Sequence, residues 1–160
     1  MRTNLPAEIA RMIRAVYYGG NYTWVNIRDS LSGVNWKQAT TKICTMNTIL
    51  SLVFHMNYYL RIVSGVLEGE MLKGSDKESF AHPPVQSEAD WEKFLSDFYS
   101  DANRFADLVE KMPEKMLWET FKDEKYGNYY KNIHGVIEHN HYHLGQIVIL
   151  KKILNEKSHV

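Results

Sequence analysis

Apolar residues recur at three- and four-residue steps in four separate stretches of this chain, while the strict alternation of a half-buried strand is almost absent. The first stretch runs roughly from Pro6 to Tyr18, with proline in its opening turn, Ile9, Ile13 and Val16 on one face, and Gly19-Gly20 as its stop. The second runs from about Thr41 to Leu67 and shows Ile49, Leu52, Val53, Met56, Leu60, Val63 and Leu67 at helical spacing. The third opens on Ser87, a capping residue with Asp90 three places on, and carries Trp91, Phe94, Leu95, Phe98, Ala102, Phe105 and Leu108 before Pro113. The fourth runs from near Tyr129 to Leu154 and ends among charged residues expected to fray. Four stripes with little else can hide from water only against one another, so the expected fold is all-α, a four-helix bundle forming a single domain over residues 1–160.

The connections are uneven. Between the first two stretches lie Trp24, Ile27, Leu31 and Trp36, with a turn near Ser30–Gly33 and a short helix start near Trp36. Between the second and third, Gly69 to Pro84 forms the longest loop, of the kind that serves as a lid or stays mobile. A linker of about fifteen residues with Trp118 and Gly127 precedes the fourth stretch.

Composition narrows the partners. Basic and acidic residues both number 19, giving zero formal net charge, and no stretch concentrates positive charge as phosphate binding requires, so nucleic acid is excluded as an expected partner. No run approaches the roughly 18 consecutive apolar residues of a membrane span, and Met1–Pro6 lacks the apolar core of a signal peptide. The single cysteine, Cys44, cannot close an intrachain disulfide and reads as a buried thiol; a reducing, cytoplasmic setting is expected.

Three of the seven histidines fall within Glu138–Gln146. At about 100° per residue, His139 and His143 share the strip of Val136, Gln146, Ile147 and Leu150, whereas His141 falls on the opposite side with His134 and Glu138. The first two can hold one ion together; His141 cannot join them. The pair has the i, i+4 spacing of helical metalloprotease motifs without their glutamate. His55 sits mid-helix on the strip of Leu52, Tyr59, Ile62 and Val66 and therefore also faces the interior. One buried imidazole needs only hydrogen-bond partners, but three on facing helices call for a common explanation. A divalent ion supplies it by accepting three imidazole nitrogens at one point. No fourth acid or thiol shares the phase: Glu138 points away and Cys44 lies about three turns from His55.

These residues carry a resemblance. His55 in the second long helix and His139-x-x-x-His143-x-Gly145-Gln146 in the fourth, about eighty residues apart, are similar to the DinB-like or YfiT-like superfamily of metal-binding four-helix bundles, and the likeness covers nearly the whole chain. The resemblance implies an up-down-down-up bundle, a nickel or zinc ion on His55, His139 and His143 with positions left for water or substrate, and a homodimer. Val148, apolar on an otherwise polar side of the last helix, also points to the dimer. Characterised relatives include thiol-dependent transferases and isomerases, so the resemblance implies an enzyme acting on a small-molecule substrate, with a low-molecular-weight thiol as a further partner. Tyr142 and Leu144 stand where relatives often carry histidine and arginine, so no substrate contact is specified there.

The chemistry also follows from the ligands. Three neutral imidazoles leave the ion's +2 charge intact, which lowers the pKa of a water or thiol in the fourth position. The expected function is activation of a small thiol or water for transfer to, or hydrolysis of, a small electrophile. The alternative is a non-catalytic or stress-associated bundle whose ion ties two helices together. Gly145 is expected to let a neighbouring helix or subunit approach closely, and Tyr17, Tyr18, Tyr129 and Tyr130 to lie in the core or at its rim.

Overall fold

A computed structural model describes residues 4–157. Met1–Thr3 and residues 158–160 lie outside the described residues, and the last helix continues past Leu154 through the charged Glu156 and Lys157 that were expected to fray. Among those described, the chain is all-helical, and the sole extended pairing is an isolated bridge between Thr120 and Asn128. The six α-helices are α1 (Leu5–Tyr18), α2 (Ile27–Leu31), α3 (Trp36–Thr40), α4 (Ile49–Leu67), α5 (Glu88–Lys111) and α6 (Tyr129–Lys157).

Local chemistry sets most helix ends. Asn4 accepts from the Ala7 amide at 3.3 Å and Gly19, at φ 104°, ends α1 in a conformation that side chains with a Cβ rarely adopt. Ser87 caps α5 through the Asp90 amide at 3.1 Å, and Asn128 caps α6 through that of Lys131 at 2.9 Å. The start of α4 corrects the sequence reading. The helix begins at Ile49 rather than Thr41, because the Thr48 hydroxyl accepts from the Ser51 amide at 3.0 Å. Upstream, the Thr40 and Thr41 hydroxyls bond carbonyls of α3, and Cys44 turns the chain at φ 49°. Cys44 is exposed, not buried as expected, since it sits in that turn rather than on a helix face.

Helix α1 packs on α5 and α6, and α4 on α5 and α6; α2 and α3 close one end against α1, α6, α4 and α5. The interior holds Tyr17, Leu60, Trp91, Phe98, Phe105 and Phe121, all essentially inaccessible. Buried polar atoms within it are mostly paired: Asn140 donates to the Tyr17 hydroxyl at 2.9 Å, and the Trp91 indole donates to the Val34 carbonyl at 2.8 Å, fastening the first connection beneath α5. Tyr18 and Tyr130 lie at the rim, and Tyr129 is buried in the core. Helix α4 is long and apolar enough by length and composition to cross a membrane, but 67% of its apolar window is buried inside the protein, as befits a central helix.

The long loop is not loose where it passes α4. Tyr58 accepts from the Ser75 amide at 2.9 Å and donates to Glu78 at 2.8 Å, and Tyr59 donates to Asp76 at 3.3 Å. A single 3₁₀ turn, Glu78–Phe80, is thereby held against the middle of α4, at the level of His55.

Candidate metal centre

The interior strip of α4 carries His55 and that of α6 carries His139 and His143, and the packing of these two helices brings the three imidazoles to one point. Their nearest ligand atoms all lie within 4.8 Å of one another. Nε2 of His139 is 3.0 Å from Nε2 of His55 and 3.0 Å from Nε2 of His143. Two nitrogens bound at about 2.1 Å to one ion lie about 3.0 Å apart at a right angle and about 3.4 Å apart in a tetrahedron, so the two edges through His139 fall near what a common ion needs. His55 and His143 are buried and His139 half-buried.

The outer nitrogens fix the tautomers. Nδ1 of His143 lies 2.7 Å from Oε1 of Gln146, an atom that only accepts, so Nδ1 carries the proton and Nε2 a lone pair. The Ser79 hydroxyl gives its one proton to the Asp76 carbonyl at 2.6 Å and is left to accept from Nδ1 of His55 at 2.8 Å. His55 therefore also turns a lone pair inward. Nδ1 of His139 is buried without a partner among the described residues. If its Nε2 carries the proton, that N–H can satisfy one of the two facing lone pairs; if not, three lone pairs converge. A cation resolves either case, and the donor set of three neutral imidazoles suits a divalent transition metal.

The surroundings hold the rings neutral. Burial lowers the pKa of all three histidines from the ordinary 6.5, furthest for His139, which falls to about 4 because His143 and His55 add like-charge repulsion to desolvation. Asp76 partly opposes the lowering at His55, and the bond to Gln146 partly opposes it at His143. Phe80 stacks on His55 with centroids 4.2 Å apart, and Tyr59 sets its ring edge-on to both His55 and His139. Because the unfolded chain protonates His139 near pH 6.5 and the folded one resists that proton until about pH 4, with His55 and His143 lowered in the same direction, the metal-free protein loses stability as pH falls through that interval. Thermal unfolding should show a steady melting temperature above pH 7 and a decline between pH 6.5 and 5, above the range where most carboxylates titrate. His139→Leu should flatten that decline; an unchanged slope contradicts the assignment.

The remaining sequence candidates separate as phase requires. Nδ1 of His141 meets the Ile137 carbonyl of its own helix at 3.0 Å, and His134 stacks on Tyr130 with Glu138 3.6 Å away. Glu138 lies off the cluster, as its phase requires. It joins no ligand atom, yet it borders a cleft of about 510 Å³ that opens on the His55 and His139 edge, with Tyr59, Val63, Asp76 and Asn132. Past Tyr59, Val63 and Asp76 a second recess of about 310 Å³ runs toward Leu72 and Phe121. At Gly145 a Cβ would meet nothing within 4 Å, so among the described residues no helix of this chain approaches it, which corrects the first of the two neighbours expected there. Tyr142 is exposed with its ring beside His143, and Leu144 is buried in the core.

Sequence reasoning missed Ser79, Phe80 and Asp76. All three come from the loop, where no periodicity reports which residue faces the helix; the only signal was the pair Tyr58-Tyr59, whose hydroxyls need partners. No family model, curated protein or solved structure matches the chain.

Proposed function

We infer that this chain is a DinB-like metal protein that holds one nickel or zinc ion on His55, His139 and His143 and uses it on a small electrophilic substrate. The observation that carries this reading is a buried three-histidine cluster with one edge on a cleft of small-molecule size. When bound, the ion supplies a Lewis acid that brings the pKa of a bound water toward about 7, or generates a thiolate. Among the described residues the cluster comprises these three donors alone, which favours an open site over a closed structural one.

The same reading takes α1, α4, α5 and α6 as an up-down-down-up bundle, and the order of side-chain pairs supports it. Phe54–Phe94, Asn57–Asp101 and Glu68–Arg104 rise together along α4 and α5. Tyr18–Tyr99 and Arg14–Asp107 run in opposite senses along α1 and α5. His55–His143 and Tyr59–His139 do so along α4 and α6.

In the cleft, Tyr59 and Val63 offer an apolar wall and Asp76 an anionic contact beside the cluster, so substrate is oriented by the loop and α4 together. The test uses protein purified without an affinity tag. Near-stoichiometric nickel or zinc is expected, with metal-dependent turnover of a generic aryl halide plus a small thiol, or of an activated ester with water. Tightly bound metal with no chelator-sensitive turnover of either substrate contradicts the catalytic part and leaves an ion that ties α4 to α6.

A further inference from the structure

We propose that Ser79 is a positioning residue for the metal centre: its hydroxyl fixes His55 as the Nδ1–H tautomer and so presents the Nε2 lone pair to the ion. The inference rests on the three-histidine reading above and extends it to the loop. Ser79 is wholly buried, and its oxygen stands 2.8 Å from Nδ1 of His55. A serine hydroxyl has one proton. Here the proton is committed to the Asp76 carbonyl at 2.6 Å, an acceptor with nothing to give back, which leaves the oxygen able only to accept from the imidazole.

The direction of that chain matters. An unconstrained neutral imidazole divides between two tautomers, and the one protonated on Nε2 cannot ligate through that atom. Outer partners of metal-bound histidines act by removing this choice and by holding the ring plane. Phe80, the next residue, stacks on the His55 ring at 4.2 Å and 15°, so one turn of loop fixes both the proton and the orientation. The turn is itself anchored through Tyr58 to Ser75 and Glu78, independently of the histidines. Gln146 plays the matching part for His143 from within α6. His139 has no such partner among the described residues.

Nitrogen-15 spectra of the metal-free wild-type protein at pH 7.5 read the tautomer directly. His55 is expected to be protonated on Nδ1, and Ser79→Ala to move it toward Nε2 or a mixture. In chelator competition with zinc, Ser79→Ala is expected to weaken binding roughly 10- to 100-fold. The Gln146→Ala variant should alter the His143 signal and leave that of His55 in place. Wild-type His55 protonated on Nε2 overturns the proposal whether or not any variant folds. Ser79→Ala that keeps both the wild-type tautomer and zinc affinity also overturns it, while leaving the three-histidine site standing; wild-type protein that binds no zinc overturns both.

Discussion

His55→Ala, His139→Ala and His143→Ala should each weaken nickel or zinc binding by more than the roughly 100-fold that loss of an outer-shell partner costs, since each removes a direct ligand. His141→Ala and His134→Ala should leave it unchanged. The contrast follows from angle alone. His141 sits midway in sequence between His139 and His143, yet its ring bonds the Ile137 carbonyl while theirs meet at one point with His55. Competition with a chromophoric chelator measures all five variants on one scale. His139→Ala is expected to be the most damaging, because its Nε2 is the atom in contact with both others. Equal losses across the five would mean that the histidines act as a diffuse cluster rather than a site.

Removing the ion should cost stability without unfolding the chain. A ligand that binds only the native state stabilises it by about 4 kcal/mol at a free concentration a thousand times its Kd. For a protein of this size about 1 kcal/mol moves the melting temperature by some 2–4 °C, so saturating metal should raise it on the order of 8 to 16 °C. Helix content at 25 °C should barely change on chelation. The reason is the core: Tyr17 packs on Phe98 between α1 and α5, Trp91 and Phe105 are buried on α5, and none of the four needs an ion to stay dry. Differential scanning calorimetry and circular dichroism on the same samples check both halves. Loss of helix at room temperature in the metal-free protein would make the ion structural rather than open to substrate.

Helical periodicity made the four long helices legible, because burying one face imposes the 3.6-residue repeat on the sequence itself. The same repeat separated His139 and His143 from His141, and placed His55 inward from a different helix. Capping made the start of α5 readable at Ser87, but at α4 two threonines competed. Thr41 marks the end of α3 and Thr48 the true cap, a difference that depends on the left-handed turn at Cys44 and leaves no periodic trace. Loop residues were the least legible. Ser79 and Asp76 reach the site through Tyr58 and Tyr59, and such long-range pairing appears only when the chain is folded. Glu138 shows the opposite limit: its phase is outward, but its long side chain still borders the cleft.

X-ray absorption at the nickel or zinc edge of the purified protein tests the metal centre most directly. Ligation by His55, His139 and His143 predicts three imidazole nitrogens at about 2.0–2.1 Å, remaining light-atom donors from water, and no sulfur. In protein freed of small thiols, a sulfur shell at about 2.3 Å, which among this chain's thiols only Cys44 could supply, or fewer than three imidazoles, would contradict it.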